Sequence, residues 1–347
     1  MITMMVTMMA TKVTTPAATT TGARCFVVRG ARRAALALWL AGLALGGGAA
    51  CGNYSNEDLE FMSAIPVASD LSVEQPARAA ILIGDVAEGA KTTFQTTRTL
   101  NATAAAFLGL VDAVRAYSPT SRATNQRTWG PFPDDKNPGW RWIFEMTKNV
   151  DVSPVRFEYT LSLIPPSGVA LSGGGASSVV IGGYFEAAGS ARLGVGQLEL
   201  TPTEARTAGA TFGDLDTLDE LSIKYDTRGP SRQVTMFIQN VPPADPTASA
   251  TSATYDYALD EAGVGTMTFV VVQDIVPGPL GLETLSIKSR WYATAEGRWD
   301  VAITGGDSAG ATLVECWNER LASTYRLPSW NPANLTGDPA TCIPAAP

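Results

Sequence analysis

Histidine is absent from all 347 residues. That removes imidazole as a general base, a proton shuttle or a zinc ligand, and with it every catalytic triad built on histidine. Charged residues are sparse too, 17% of the chain against about 25% in an average globular protein, while 45% are hydrophobic, so a disordered polyelectrolyte is excluded. Basic residues are in deficit. Five of the 25 Lys and Arg, and none of the 33 acids, fall in residues 1–50, leaving 20 against 33 beyond them, a net of −13. A surface that acidic excludes nucleic acid as the expected partner. The length suits one or two domains with a sizeable core.

What basic charge there is near the start is concentrated. Arg29, Arg32 and Arg33 precede the apolar run 34–45, small residues follow from Gly46 to Ala50, and Cys51 comes next. A basic stretch, a short apolar stretch and small residues before a cleavage point make a secretory signal. The run is too short to span a bilayer, which needs about 20 residues. Residues 1–26 fit no signal and are expected to reflect an upstream start choice. Leu45-Gly46-Gly47-Gly48-Ala49-Ala50-Cys51 resembles the lipobox of bacterial lipoprotein precursors, with two small residues before the cysteine and Gly48 where that family prefers leucine. The resemblance implies a lipid on Cys51 as the link to a membrane, and Gly52 implies sorting to the outer membrane. Ordinary signal-peptidase cleavage after Ala50 is the alternative. Cysteine counting favours the lipid: Cys25 leaves with the signal, and Cys316 and Cys342 are expected to pair in an exported tail, so an unmodified Cys51 would be an odd thiol.

Past Cys51 the polar stretch 51–72 reads as a tether and 73–347 as one domain. Ile83, Val86, Ala90, Phe94, Leu100, Ala104, Phe107, Val111 and Val114 recur at mostly three- and four-residue steps, which predicts helix over 73–117. Gly84 and Gly89 leave one helix or two open. After Tyr117 the period becomes two, in five successive hairpins between Trp140 and Thr304, with Thr128–Phe132 and Leu313–Trp317 as further strands. The fold class expected is mainly β, an antiparallel meander of 10–12 strands over 128–317, curled or half-barrel because twist accumulates across so wide a sheet, with the helical segment packed on it. A β-sandwich is the alternative, and 318–347 is expected to be a tail pinned by the disulfide. In architecture and location, though in no motif, this is similar to the half-barrel periplasmic lipoprotein carriers.

No catalytic set, metal site or cofactor emerges. Gly306-Asp307-Ser308-Ala309-Gly310 matches GxSxG but has no histidine to activate Ser308 and follows an antiparallel strand, so it reads as a turn. The acids Asp214, Asp216, Asp219 and Glu220 lack the spacing of a calcium loop. Glu145 would face Glu158 if the first hairpin were symmetric, on the wet face. Gly84 to Thr92 is not a phosphate loop, because the lysine is one residue late. The aromatics carry more: Trp140, Trp142, Phe144, Phe157, Tyr159, Phe185, Tyr225, Tyr255, Tyr257, Phe269, Trp291 and Trp299 fall mostly on inward strand positions. They either form an ordinary core or line an apolar cavity for a lipid or other apolar ligand. Outward Tyr184, Tyr292 and Trp317 would suit stacking on sugars. The function expected is that of a non-enzymatic, outer-membrane-anchored lipoprotein whose domain, periplasmic or surface-exposed, binds an apolar ligand. The alternative is a structural or adhesive envelope lipoprotein whose sheet is filled by its own side chains.

Overall fold

Alternating apolar and polar residues separated by Gly-, Asp- and Ser-rich turns leave the chain little choice but to fold back on itself repeatedly. In the computed structural model, which describes residues 54–76, 86–190, 192–240, 252–273 and 281–346, it does so fourteen times, giving fifteen strands. The signal and Cys51 lie outside the described residues. The strands are β1 (Ser121–Ala123), β2 (Gln126–Pro133), β3 (Arg141–Asn149), β4 (Arg156–Ile164), β5 (Ser178–Ser190), β6 (Leu193–Leu200), β7 (Leu218–Asp226) and β8 (Arg232–Asn240). They continue as β9 (Ser252–Leu259), β10 (Gly265–Gln273), β11 (Glu283–Trp291), β12 (Gly297–Thr304), β13 (Thr312–Trp317), β14 (Ser323–Pro328) and β15 (Thr336–Gly337). Each is hydrogen-bonded, antiparallel, to its sequence neighbours, in one sheet whose first and last strands do not pair. The sheet is a meander, as expected, and the sandwich alternative falls away because there is no second sheet among the described residues. The extra strands are the short ones at the edges. Two of them lie in the tail, where Pro328 and Pro332 hide the alternation.

Inward-facing glycines let large rings lie flat against the neighbouring strand. Tyr159 is paired with Gly183, Tyr225 with Gly196, Trp291 with Gly265 and Trp317 with Gly297. A strand glycine opposite a ring allows the close approach that a tightly curled face requires.

Among the described residues four helices accompany the sheet: α1 (Asn56–Ser63), α2 (Ala68–Leu71), α3 (Glu88–Asp112), continued by a 3-10 turn at Ala113–Ala116, and α4 (Thr203–Thr207). The described part of the stretch expected to be a tether, from Tyr54, is instead folded onto the sheet. Ser55 caps α1 in a reciprocal box with Asp58, and Phe61 is fully buried, its ring edge-on to Phe157 at 5.5 Å. The polar residues there look like a linker because their partners are far along the chain. Asp58 bonds Arg127 at 2.6 Å and Arg122 at 3.1 Å.

Of the helix expected over 73–117, Glu88–Asp112 is helical, while 77–85, with Ile83 and Gly84, lie outside the described residues. Val73 lies in a stretch with no regular structure, and its peptide N–H and C=O pair with the Asn101 side chain at 2.7 and 2.9 Å. Gly89 is no weak point, since it is where α3 meets the sheet: a Cβ there would lie 2.7 Å from that of Trp299. Its N–H, one of the donors a helix start leaves unpaired, is accepted at 2.6 Å by the buried Glu315 of β13. Thr93 bonds Ser289 of β11 at 2.7 Å, and the Phe94 ring meets those of Trp291 and Trp317 edge-on. From there α3, about 37 Å long, runs to β2 and β3, where Tyr117 stacks on Phe132 at 4.5 Å.

Cys316 and Cys342 are joined, with an S–S distance of 2.04 Å. Cys316 points to the convex face and is buried there. Beyond the bridge the tail reaches β11, where Arg290 donates to the Ala345 carbonyl at 3.2 Å. Cys342→Ser should lower stability by about 3 kcal/mol, from the loop entropy returned to the unfolded chain. Urea denaturation of the oxidised wild type and the variant checks this. An unchanged midpoint would mean that the tail holds without the bridge.

Candidate functional site

The concave face is occupied by the protein itself. Of the twelve aromatics expected there, eleven are buried and Trp142 is half-buried, packed with Tyr117 and Phe132. The buried ones belong to one apolar cluster that also contains Phe61, Phe94, Phe107, Leu108 and Val111 of the helices. Burial raises the phenol pKa of Tyr159 well above its usual value and that of Tyr257 to about 12, although Tyr257 Oη accepts the Glu74 N–H at 3.1 Å. Trp317, expected to face outward, is instead inward and buried, its Nε1 donating to Ala295 O at 2.9 Å.

The convex face carries the open depression. Glu145, Thr160, Gly182 and Glu199 stand in register across β3 to β6, and Thr147, Glu158, Tyr184 and Gln197 form the parallel row. Register therefore places Glu145 opposite Thr160 and Glu158 opposite Thr147, so the two glutamates are diagonal neighbours and not a facing pair. Because Gly182 has no side chain and Thr160 a short one, the floor drops between Glu145 and Glu199, whose Cα atoms lie three strand spacings, about 14 Å, apart. The resulting groove has a volume of about 430 Å³, and Gln126, Arg156, Tyr159 and Gly183 also line it.

Its charges are largely engaged. The Arg156 guanidinium lies 4.0 Å from the Tyr184 ring centroid, 3.1 Å from Glu158 and 3.6 Å from Glu186. Gln197 donates to Glu199. An aromatic ring beside amides, hydroxyls and carboxylates suits a polyhydroxylated ligand better than an apolar one. The sequence marks Tyr184 as outward, but the groove around it arises from a missing side chain at Gly182 and from register. The dipeptide Gly182-Gly183 inside a strand pattern is the signal that could have revealed it.

No family model, curated protein or solved structure matches the chain. The GxSxG segment is the turn between β12 and β13, held from below by buried Glu283, whose Oε1 accepts the Asp307 N–H at 3.1 Å. The acidic cluster serves local structure. Asp216 accepts the Phe212 N–H at 2.7 Å, and Asp219 pairs with Arg206 at 3.3 Å. Among the described residues no three acids or cysteines come together as a metal site, and no helix is long and apolar enough to cross a membrane.

Proposed function

We propose that this protein is a lipid-anchored component of the bacterial outer membrane, attached through Cys51, that works without catalysis as a structural or adhesive module of the envelope. The observation that carries this choice over an apolar-ligand carrier is the packing of α3 and the inward aromatics into a single buried cluster, which occupies the face a carrier would keep open. The convex groove, with Tyr184 between Glu158 and Gln197, suits contact with envelope polysaccharide.

Radioactive fatty acid should label the wild type and not Cys51→Ser. Protein extracted from the envelope should carry no co-purifying lipid beyond its anchor and should fail to quench a fluorescent fatty acid. Purified envelope polysaccharide should bind, and Tyr184→Ala should weaken binding roughly tenfold, equivalent to about 1.4 kcal/mol. Fatty-acid binding with tryptophan quenching would restore the carrier reading, and equal labelling of Cys51→Ser would remove the anchor.

A further inference from the structure

The turns that follow odd-numbered strands all lie at one end of the sheet, because every connection in the meander is between neighbours. The described residues begin at that end. Arg127, the second residue of β2, holds Asp58. Lys148, next to last in β3, pairs with Glu60 at 2.7 Å, and Phe157, the second residue of β4, packs on Phe61. Cys51 precedes Tyr54, the first described residue, by three positions. Three residues fully extended span at most about 11 Å. A lipid on Cys51 would thus leave this end no room to stand away from a bilayer.

The same end exposes four large apolar side chains: Leu59 of α1 at 47%, Val150 and Val152 of the β3–β4 turn at 49% and 41%, and Leu193 at the start of β6 at 44%. The turns that carry them are neighbours, since the Ala187 N–H donates to the Val155 carbonyl at 2.9 Å. Several carboxylates around them are matched, Glu60 by Lys148, Asp70 by Arg192 and Glu57 by Arg127. Asp151, exposed between the two valines, and Asp260, Glu261 and Glu296 in later turns at the same end are charges that an anionic surface would have to accommodate.

We infer that this rim, Leu59 with Val150, Val152 and Leu193, is seated on the lipid headgroup surface to which Cys51 is attached. The inference rests on the lipid-anchored reading. It orients the domain with its strands rising from the membrane and the opposite loops about 30 Å away, the length of a nine-residue strand. Leu282, before β11 at the far end, is 60% exposed and so equally apolar, yet would stay clear of the bilayer.

The full lipidated chain, reconstituted into phosphatidylethanolamine–phosphatidylglycerol vesicles containing a headgroup nitroxide lipid, provides the test. A fluorophore on Val152→Cys or Leu193→Cys should be quenched severalfold more than one on Leu282→Cys, with Val150→Cys replacing any variant that fails to fold. Equal quenching at the two ends, or stronger quenching at Leu282, in protein that is incorporated and carries labelled fatty acid overturns the seating and leaves the anchor intact. Failure to incorporate, with no fatty acid on the protein, removes anchor and seating together.

Discussion

Asp58→Ala should destabilise the fold by about 3–5 kcal/mol, the cost of stripping one partner from a buried ion pair. Asp58 is 0% exposed and Arg127 3%, so the loss would leave a guanidinium in the interior with Glu57 as its remaining carboxylate, beside the Ala123 and Gln126 carbonyls. The carboxylate also closes the α1 capping box by accepting the Ser55 N–H at 2.9 Å. Burial alone would raise the Asp58 pKa, but the Ser55 amide, Arg127 and Arg122 outweigh it and hold the group at about 2, below its ordinary 3.8. Because the folded value is depressed, this contribution is complete above pH 3.8 and is lost as the pH falls through 2. Urea denaturation of the wild type should therefore show stability rising between those values, and Asp58→Asn should flatten that part of the curve. Replacing both partners, Asp58→Leu with Arg127→Met, should recover much of the loss, since no buried charge is left uncompensated. A cost below about 1 kcal/mol for Asp58→Ala, the size of an exposed pair, would mean that the pair is not sealed from water.

This pair also shows where sequence reading reaches its limit. Alternation exposed the strands because each has one buried face, and successive hairpins pointed to a meander while leaving a β-sandwich open, since strand order cannot be read from one sequence. Residues 54–72 gave no such signal. Their stabilising partners, Arg127 and Lys148, come from strands well downstream, and a polar stretch without periodicity looks the same whether its charges are solvated or paired. Trp317 was misplaced for a related reason. It shares parity with Glu315, and a charged residue ordinarily marks the wet face. Here Glu315 is inward because the start of α3 needs an acceptor at Gly89. The convex groove was legible in one residue, Tyr184. Its shape depends on which side chains stand across from Gly182, and register between strands cannot be read from one sequence.

The glycine–aromatic pairs that let the sheet curl should be just as intolerant of change. In Gly297→Ala the new Cβ would fall 2.1 Å from Cζ2 of Trp317, the residue paired with it on β13. The indole has nowhere to retreat. It is 2% exposed, its Nε1 is bonded to Ala295 O at 2.9 Å, and its ring meets Phe94 of α3 at 6.3 Å. Moving it gives up that hydrogen bond and forces the helix outward, so the expected loss is about 2–4 kcal/mol, from overpacking together with an unpaired buried donor. Gly182→Ala supplies the control, because its Cβ would meet nothing within 4 Å on the convex face. That change should alter stability by no more than about 0.5 kcal/mol in either direction. Adding Trp317→Leu to Gly297→Ala should restore part of the lost stability by relieving the clash, whereas in the wild-type background Trp317→Leu should itself be destabilising. Thermal and urea denaturation of the four variants would separate a steric joint from a general aversion to alanine in strands. If Gly182→Ala and Gly297→Ala cost the same, the ring against Gly297 is not what sets the curvature there, and backbone entropy alone accounts for the glycine.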